Sequence, residues 1–145
     1  MYFEDAVPGQ EVTGFSRHVT LTDLVMYAGA TWDFHRFHYD AAFVQARGFP
    51  APFVDGQMVG ALLAKQLMDW GGPDAFVRRL SYRLRAMIFA GDRVTGTGVV
   101  TATRLEGDRP LVVCALAIRK DDSTEVVTDA LGVVELPRRP EEEAP

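Results

Sequence analysis

Between Asp55 and Trp70, apolar side chains recur at most angles around a helix: Met58, Val59, Ala61, Leu62, Leu63, Leu67 and Met68. A helix coated this broadly is expected to be buried rather than to lie on a surface. Only Gln57, Lys65, Gln66 and Asp69 interrupt the coat. Asp55 is a good N-cap, and Gly71-Gly72-Pro73 is a strong stop. Beyond it the period changes to two, with Leu80, Tyr82, Leu84 and Ala86 alternating with Ser81, Arg83 and Arg85. Turns at Ala90-Gly91-Asp92, Gly107-Asp108 and Asp121-Asp122-Ser123 then separate Arg93–Thr103, Leu111–Arg119 and Thr124–Leu136. This pattern predicts four successive strands in an antiparallel meander. A buried helix followed by such strands implies an α+β domain in which an antiparallel sheet wraps one long central helix. A sheet of this kind has an open edge, which pairing with a second subunit would cover.

The N-terminal third is less regular. Pro8-Gly9 makes a turn, and Glu11–Thr20 alternates loosely enough for a strand. Thr20 or Thr22 is placed to cap a short helix through Leu24, Met26 and Tyr27, ending near Gly29. Thr31–Tyr39 is irregular, a short amphipathic piece from Ala41 to Arg47 closes at Gly48, and Pro50 and Pro52 hold the next residues extended.

Composition narrows the function classes. The 145 residues, 48% apolar and 24% charged, fit one globular domain, residues 1–136. The Pro/Arg/Glu stretch 137–145 has nothing to bury and is expected to be a disordered tail. A net charge of −5 argues against nucleic-acid binding, which needs clustered basic residues. Cys114 is the only cysteine, set in an apolar run, so an internal disulfide and a cysteine metal cluster are excluded. The N-terminus does not read as a signal peptide, and no apolar run approaches the roughly 20 residues of a membrane span. A cytoplasmic location is the resulting expectation.

Chemistry concentrates in Trp32-Asp33-Phe34-His35-Arg36-Phe37-His38-Tyr39-Asp40. A carboxylate and an imidazole on irregular backbone can converge on one water and move its protons. A solvated loop with local hydrogen bonds would use the same residues. At Asp55-Gly56-Gln57-Met58, the free N–H groups of a helix start, with a glycine that lets a ligand approach, could polarise a carbonyl. The same pair also reads as a plain helix start.

Taken together, Asp33, His38, Asp40 and Gly56, followed by the buried helix and strands, resemble the MaoC-like family of (R)-specific enoyl-CoA hydratases and dehydratases. That family carries Asp-x-Asn-Pro-x-His-x-Asp and then Gly-Met opening the central helix. Ala90-Gly91-Asp92 also matches a family turn. The resemblance implies a hotdog fold and reversible hydration of an enoyl-thioester to a 3-hydroxyacyl-thioester. Asp33 and His38 would activate the water, and the Gly56 N–H would bind the thioester oxygen. It implies neither cofactor nor metal. Two departures matter: His35 and Arg36 replace Asn-Pro, and Asp55 stands where a histidine is common. His35 and Asp55 are accordingly expected to touch substrate.

Met68–Pro73 and the basic strand after it resemble the small hotdog subunits of actinobacterial steroid side-chain hydratases, which work in heteromers. The resemblance therefore implies either a homodimer or a heteromer with another hotdog subunit. Its substrate would be an acyl-CoA or acyl-carrier-protein thioester. Of the basic cluster Arg78, Arg79, Arg83 and Arg85, the last two are the candidates for coenzyme A phosphates. A hotdog thioesterase, or a half-catalytic subunit that shapes the acyl pocket for a partner, are the rival readings.

Overall fold

The computed structural model describes residues 1–140. Helix α3 (Gly56–Gly71) forms where the apolar coat and its caps place it. The Asp55 carboxylate accepts from the Gln57 N–H at 3.0 Å, and Gly72, at φ 91°, closes the last turn by donating to the Met68 carbonyl. Met58, Val59, Leu63, Leu67 and Trp70 join the core, while Ala61, Lys65, Met68 and Asp69 form an exposed stripe. Gln66 is the departure from the expected polar face, because it is buried.

Before α3 come strand β1 (Phe15–His18), helix α1 (Leu21–Thr31) and the short helix α2 (Ala41–Gln45). After it come β2 (Phe76–Ser81), β3 (Arg93–Glu106), β4 (Arg109–Lys120) and β5 (Glu125–Glu135). All pairings are antiparallel, and the sheet order is β1-β3-β4-β5-β2. This is the expected α+β arrangement, one long helix against an antiparallel sheet.

The inner face of β4, Val112, Cys114, Leu116 and Ile118, lies in the same core cluster as α3. Burial pushes the Cys114 thiol up to about 12, which leaves it an inert core residue. Close approach is permitted where β5 and α3 meet, because a Cβ on Gly132 would lie 2.5 Å from Leu67 Cδ1.

Several expectations need correction. The meander has three strands, not four. The chain leaves α3 with Gly71 packed against Ala75 and Leu136, so β2 is delivered to the free edge of β5, with Phe76 opposite Glu135. The alternation read through Ala86 leaves the ladder at Ser81. From there, residues 82–92 run across the end of the sheet and meet the loop before α3: Val54 donates to the Ile88 carbonyl and Ala90 to that of Pro52. The first strand is also shorter than expected, with Glu11 making only an isolated bridge to Val99. Helix α1 passes through Gly29 and stops at Trp32, whose φ of 58° turns the backbone left-handed. At the C-terminus, Pro137 accepts from the Phe3 N–H and Arg139 pairs with Asp5 at 2.6 Å, so charge complementarity holds what had no apolar surface to bury. Residues 141–145 of the expected tail lie outside the described residues.

Two predictions follow from this packing. Tyr82 donates to the Gly56 carbonyl at 2.9 Å, and a Cβ on Gly60 would fall 2.4 Å from the Tyr82 hydroxyl. Gly60→Ala should therefore displace Tyr82 and lower unfolding stability by about 1–3 kcal/mol in urea titrations, part of it recovered by adding Tyr82→Phe. At the start of α1, the Thr20 hydroxyl and N–H donate to Asp23, and Arg17 pairs with it. These contacts, the Thr20 hydroxyl first, hold Asp23 at about 2. A lowered folded value means that the stabilisation is complete above the unfolded value of ~3.9 and is lost as pH falls through the folded one. Asp23→Asn should therefore flatten the acid limb of a stability–pH curve below ~pH 4 by about 1–2 kcal/mol.

Candidate active site

The stretch Asp33–Asp40 is held by its own side chains. Asp40 caps α2 by accepting from the Phe43 N–H at 2.9 Å and takes a two-pronged contact from Arg36. That backbone hydrogen bond, followed by the Arg36 contacts, lowers the Asp40 carboxyl. The second acid of the motif thus braces the loop, outside the crevice. A turn of 3-10 helix, Arg36–His38, then points the His38 ring inward, where it is 9% exposed.

The orientation of that ring is set by Phe53. Phe53 donates its N–H to the Phe37 carbonyl, and its own carbonyl oxygen lies 2.8 Å from His38 Nδ1. A carbonyl only accepts, so Nδ1 carries the proton and Nε2 of the neutral ring is left with a free lone pair. Nε2 faces Asp33 Oδ2 at 3.8 Å. This is too long for a direct hydrogen bond and too short for a water between the two atoms, so a water bonded to both lies to one side of them. The other Asp33 oxygen accepts from the His35 N–H at 3.2 Å, which fixes the carboxylate. Phe37, Phe49, Phe53 and Phe89 pack ring against ring behind the loop, with the Phe53 ring edge-on to His38.

Asp55 completes a cluster in which one ligating atom each from Asp33, His38 and Asp55 lie within 4.8 Å of one another. Its Oδ1 caps α3, while Oδ2 is buried without a protein partner. Leu24, Tyr27, Ala28 and Met58 line the rest of this crevice. Burial, then the charge of Asp55, then Tyr82 raise the Tyr27 phenol, which keeps it a hydrogen-bond donor. On the other side of the helix start, Gly56 lines a groove of about 340 Å3 with Phe53, Leu84, Arg85 and Met87. Gly56 is the first residue of α3, so its N–H has no acceptor within the helix.

The structure therefore brings Asp33, His38 and Asp55 together, while Gly56, the neighbour of Asp55 in the chain, lines the separate groove. Other expected contacts lie apart. His35 is exposed, accepts from the Phe37 N–H through Nδ1 and stacks on that ring. Arg85 lines the groove yet pairs with Asp129 at 3.3 Å, and Arg83 is exposed. Arg78 pairs with Glu135, away from Gly56. Sequence reasoning missed Phe53, which acts through a backbone carbonyl, and Tyr27, whose helix position carries no motif.

Residues 4–116 match the MaoC like domain family, and the chain is a member of that family. A curated relative, the 3-oxo-4,17-pregnadiene-20-carboxyl-CoA hydratase beta subunit of Mycobacterium tuberculosis, is 36% identical over 81 residues. That match covers 56% of this chain and 63% of the relative, so the alignment spans less than two thirds of the relative's length. Among solved structures, an (R)-hydratase from A. caviae involved in PHA biosynthesis superposes with TM-score 0.82 at 27% identity, covering 92% of this chain and 99% of that one. The ChsH1-ChsH2 complex from Mycobacterium tuberculosis gives TM-score 0.76 at 28% identity, covering 92% and 98%. The fold is the hotdog fold. No helix among the described residues is long and apolar enough to cross a membrane.

Asp55→Asn keeps the capping oxygen and removes a negative charge facing Asp33. Thermal unfolding should show an unchanged or slightly raised Tm. A clear fall would mean that the charge itself holds the crevice together.

Proposed function

We propose that the chain adds water reversibly across the double bond of a trans-2-enoyl-CoA thioester, giving the (R)-3-hydroxyacyl-CoA. The observation that carries this reading is the lone pair left on His38 Nε2 and the Asp33 Oδ2 3.8 Å from it, which one water lying beside the pair can bond together, near an open helix N-terminus. In the hydration direction, the water oxygen bonds to C3 and gives a proton to the Asp33–His38 pair, and C2 takes up a proton. The Gly56 N–H and the helix dipole stabilise the negative charge that passes through the thioester oxygen. Tyr27 and Asp55 shape the crevice, and Arg85 at the groove, with the exposed Arg83, would meet carrier phosphates. A thioesterase reading has less support, because the Asp33–His38 spacing matches hydration chemistry and the curated relatives are hydratases by name.

A second reading has specific support. Asp55 opposes an enolate, Leu84 and Met87 leave the groove with 43% and 45% exposed apolar flanks, one relative is by name a hydratase beta subunit, and a similar solved structure is a complex of two components. The chain would then be the half-catalytic partner of another hotdog subunit. In either reading, the edge strand β2 and the open groove are where a second subunit would pair.

The test is hydration of enoyl-CoA, followed by loss of enoyl-thioester absorbance, with the chain alone and mixed with a second hotdog subunit. Asp33→Asn and His38→Ala should each lower turnover by about 10²–10⁴-fold in folded protein. The double variant should be little worse than either single, since the two act as a unit. Near-native rates in both singles would place the chemistry elsewhere.

A further inference from the structure

Gln66 is 2% exposed, and its side-chain Nε2 and Oε1 are both buried without a protein partner. Leaving a buried polar group unmatched costs about 1–3 kcal/mol, so an amide here needs a counterpart that the fold itself does not supply. It lines a cleft of about 190 Å3 between β1 and α3, with Thr13, Phe15, Arg17 and Leu62. Arg17 adds a second unmatched donor: its Nη2 pairs with Asp23 at 2.6 Å, but its Nε is buried and free. Both residues line a single cleft, with their two unmatched donors and one acceptor buried in its wall.

One face of α3 contributes to both this cleft and the Asp33–His38 crevice. Met58, Leu62 and Gln66 follow one another at four-residue spacing on a single face of α3, and Met58 lines the crevice. Helix α1 ties the two regions together: Asp23 in its first turn pairs with Arg17 at the cleft, and Leu24 and Ala28 line the crevice. Ten residues of helix separate Gly56 from Gln66, a span of ~15 Å.

We infer that the cleft at Gln66 receives the far end of the acyl group and selects substrates bearing a hydrogen-bonding oxygen there. The inference rests on the enoyl-thioester reading. A ketone oxygen would accept from Gln66 Nε2 and Arg17 Nε, and a hydroxyl would also donate to Gln66 Oε1. A carboxylate is disfavoured, because the cations at the cleft, Arg17 and Lys65, are already paired with Asp23 and Asp69.

The experiment uses saturated acyl-CoA thioesters, which cannot be hydrated, in pairs that match in length and differ by a ketone at the distal end. Calorimetric titration of the wild-type protein in its native assembly should show the ketone form binding about 10-fold tighter. Gln66→Leu, close in volume, should bring that ratio near one. Gln66→Glu, which keeps an acceptor and loses the donor, should lose the preference for a ketone while retaining one for a hydroxyl. Equal affinities in the wild type, or an unchanged ratio in Gln66→Leu, would overturn the inference. Turnover of a short enoyl-CoA by the wild type separates the two claims: if it is absent with and without a partner subunit, the hydratase reading itself fails.

Discussion

The burial of α3 against the sheet is the constraint from which the rest follows. The helix is apolar on most of its circumference, so it is stable only if the sheet covers it, and the covering is tight where backbone meets side chain. Gly132 lies under Leu67, and Gly60 lies under Tyr82. Such contacts fix the helix lengthwise as well as sideways, because Tyr82 also takes the Gly56 carbonyl. The N-terminus of α3 is thereby held at one end of the domain, and the loops on either side of it must meet there. Residues 33–40 and 82–92 do so through the segment before α3, by way of Phe37 with Phe53 and Ile88 with Val54.

The same segment determines the chemistry. Phe53 is paired on one side to Phe37 and on the other to Phe89, and its carbonyl is what leaves His38 Nε2 free. A backbone group thus decides which nitrogen can take a proton. The side chain matters as packing, holding its backbone and the ring of His38 in register. This explains how a loop with little regular structure can present two side chains to one water.

Much of this was legible in the sequence, for identifiable reasons. The helix α3 declared itself by a broad apolar coat with a cap and a double-glycine stop, local signals that tertiary contacts only reinforced. Asp33, His38 and Gly56 were singled out through the family resemblance that their spacing carries. What was not legible depended on distant parts of the chain. The alternation from Leu80 to Ala86 is real, yet beyond Ser81 it follows packing against the helix start instead of a strand ladder. The place of β2 beside β5 depends on where Gly71 meets Leu136, across more than sixty residues. Gln66 looked like an interruption of the coat, because nothing local marks a buried amide.

Asp55 shows how one position serves two demands. As an N-cap it satisfies the Gln57 N–H, a contribution of about 1 kcal/mol, and by taking that group it leaves the Gly56 N–H open. An atom of its carboxylate lies within 4.8 Å of Asp33 and His38, so a like charge stands beside the Asp33 carboxylate. Capping alone would not account for a charged residue there, since asparagine or serine caps as well. The charge faces the reacting centre, and a second subunit closing the groove over Leu84 and Met87 would exclude water and strengthen every such interaction. In the reading proposed above, the electrostatic character of the site is therefore completed only when a partner covers it, and Asp55 is the residue whose effect changes most between the open chain and the closed assembly.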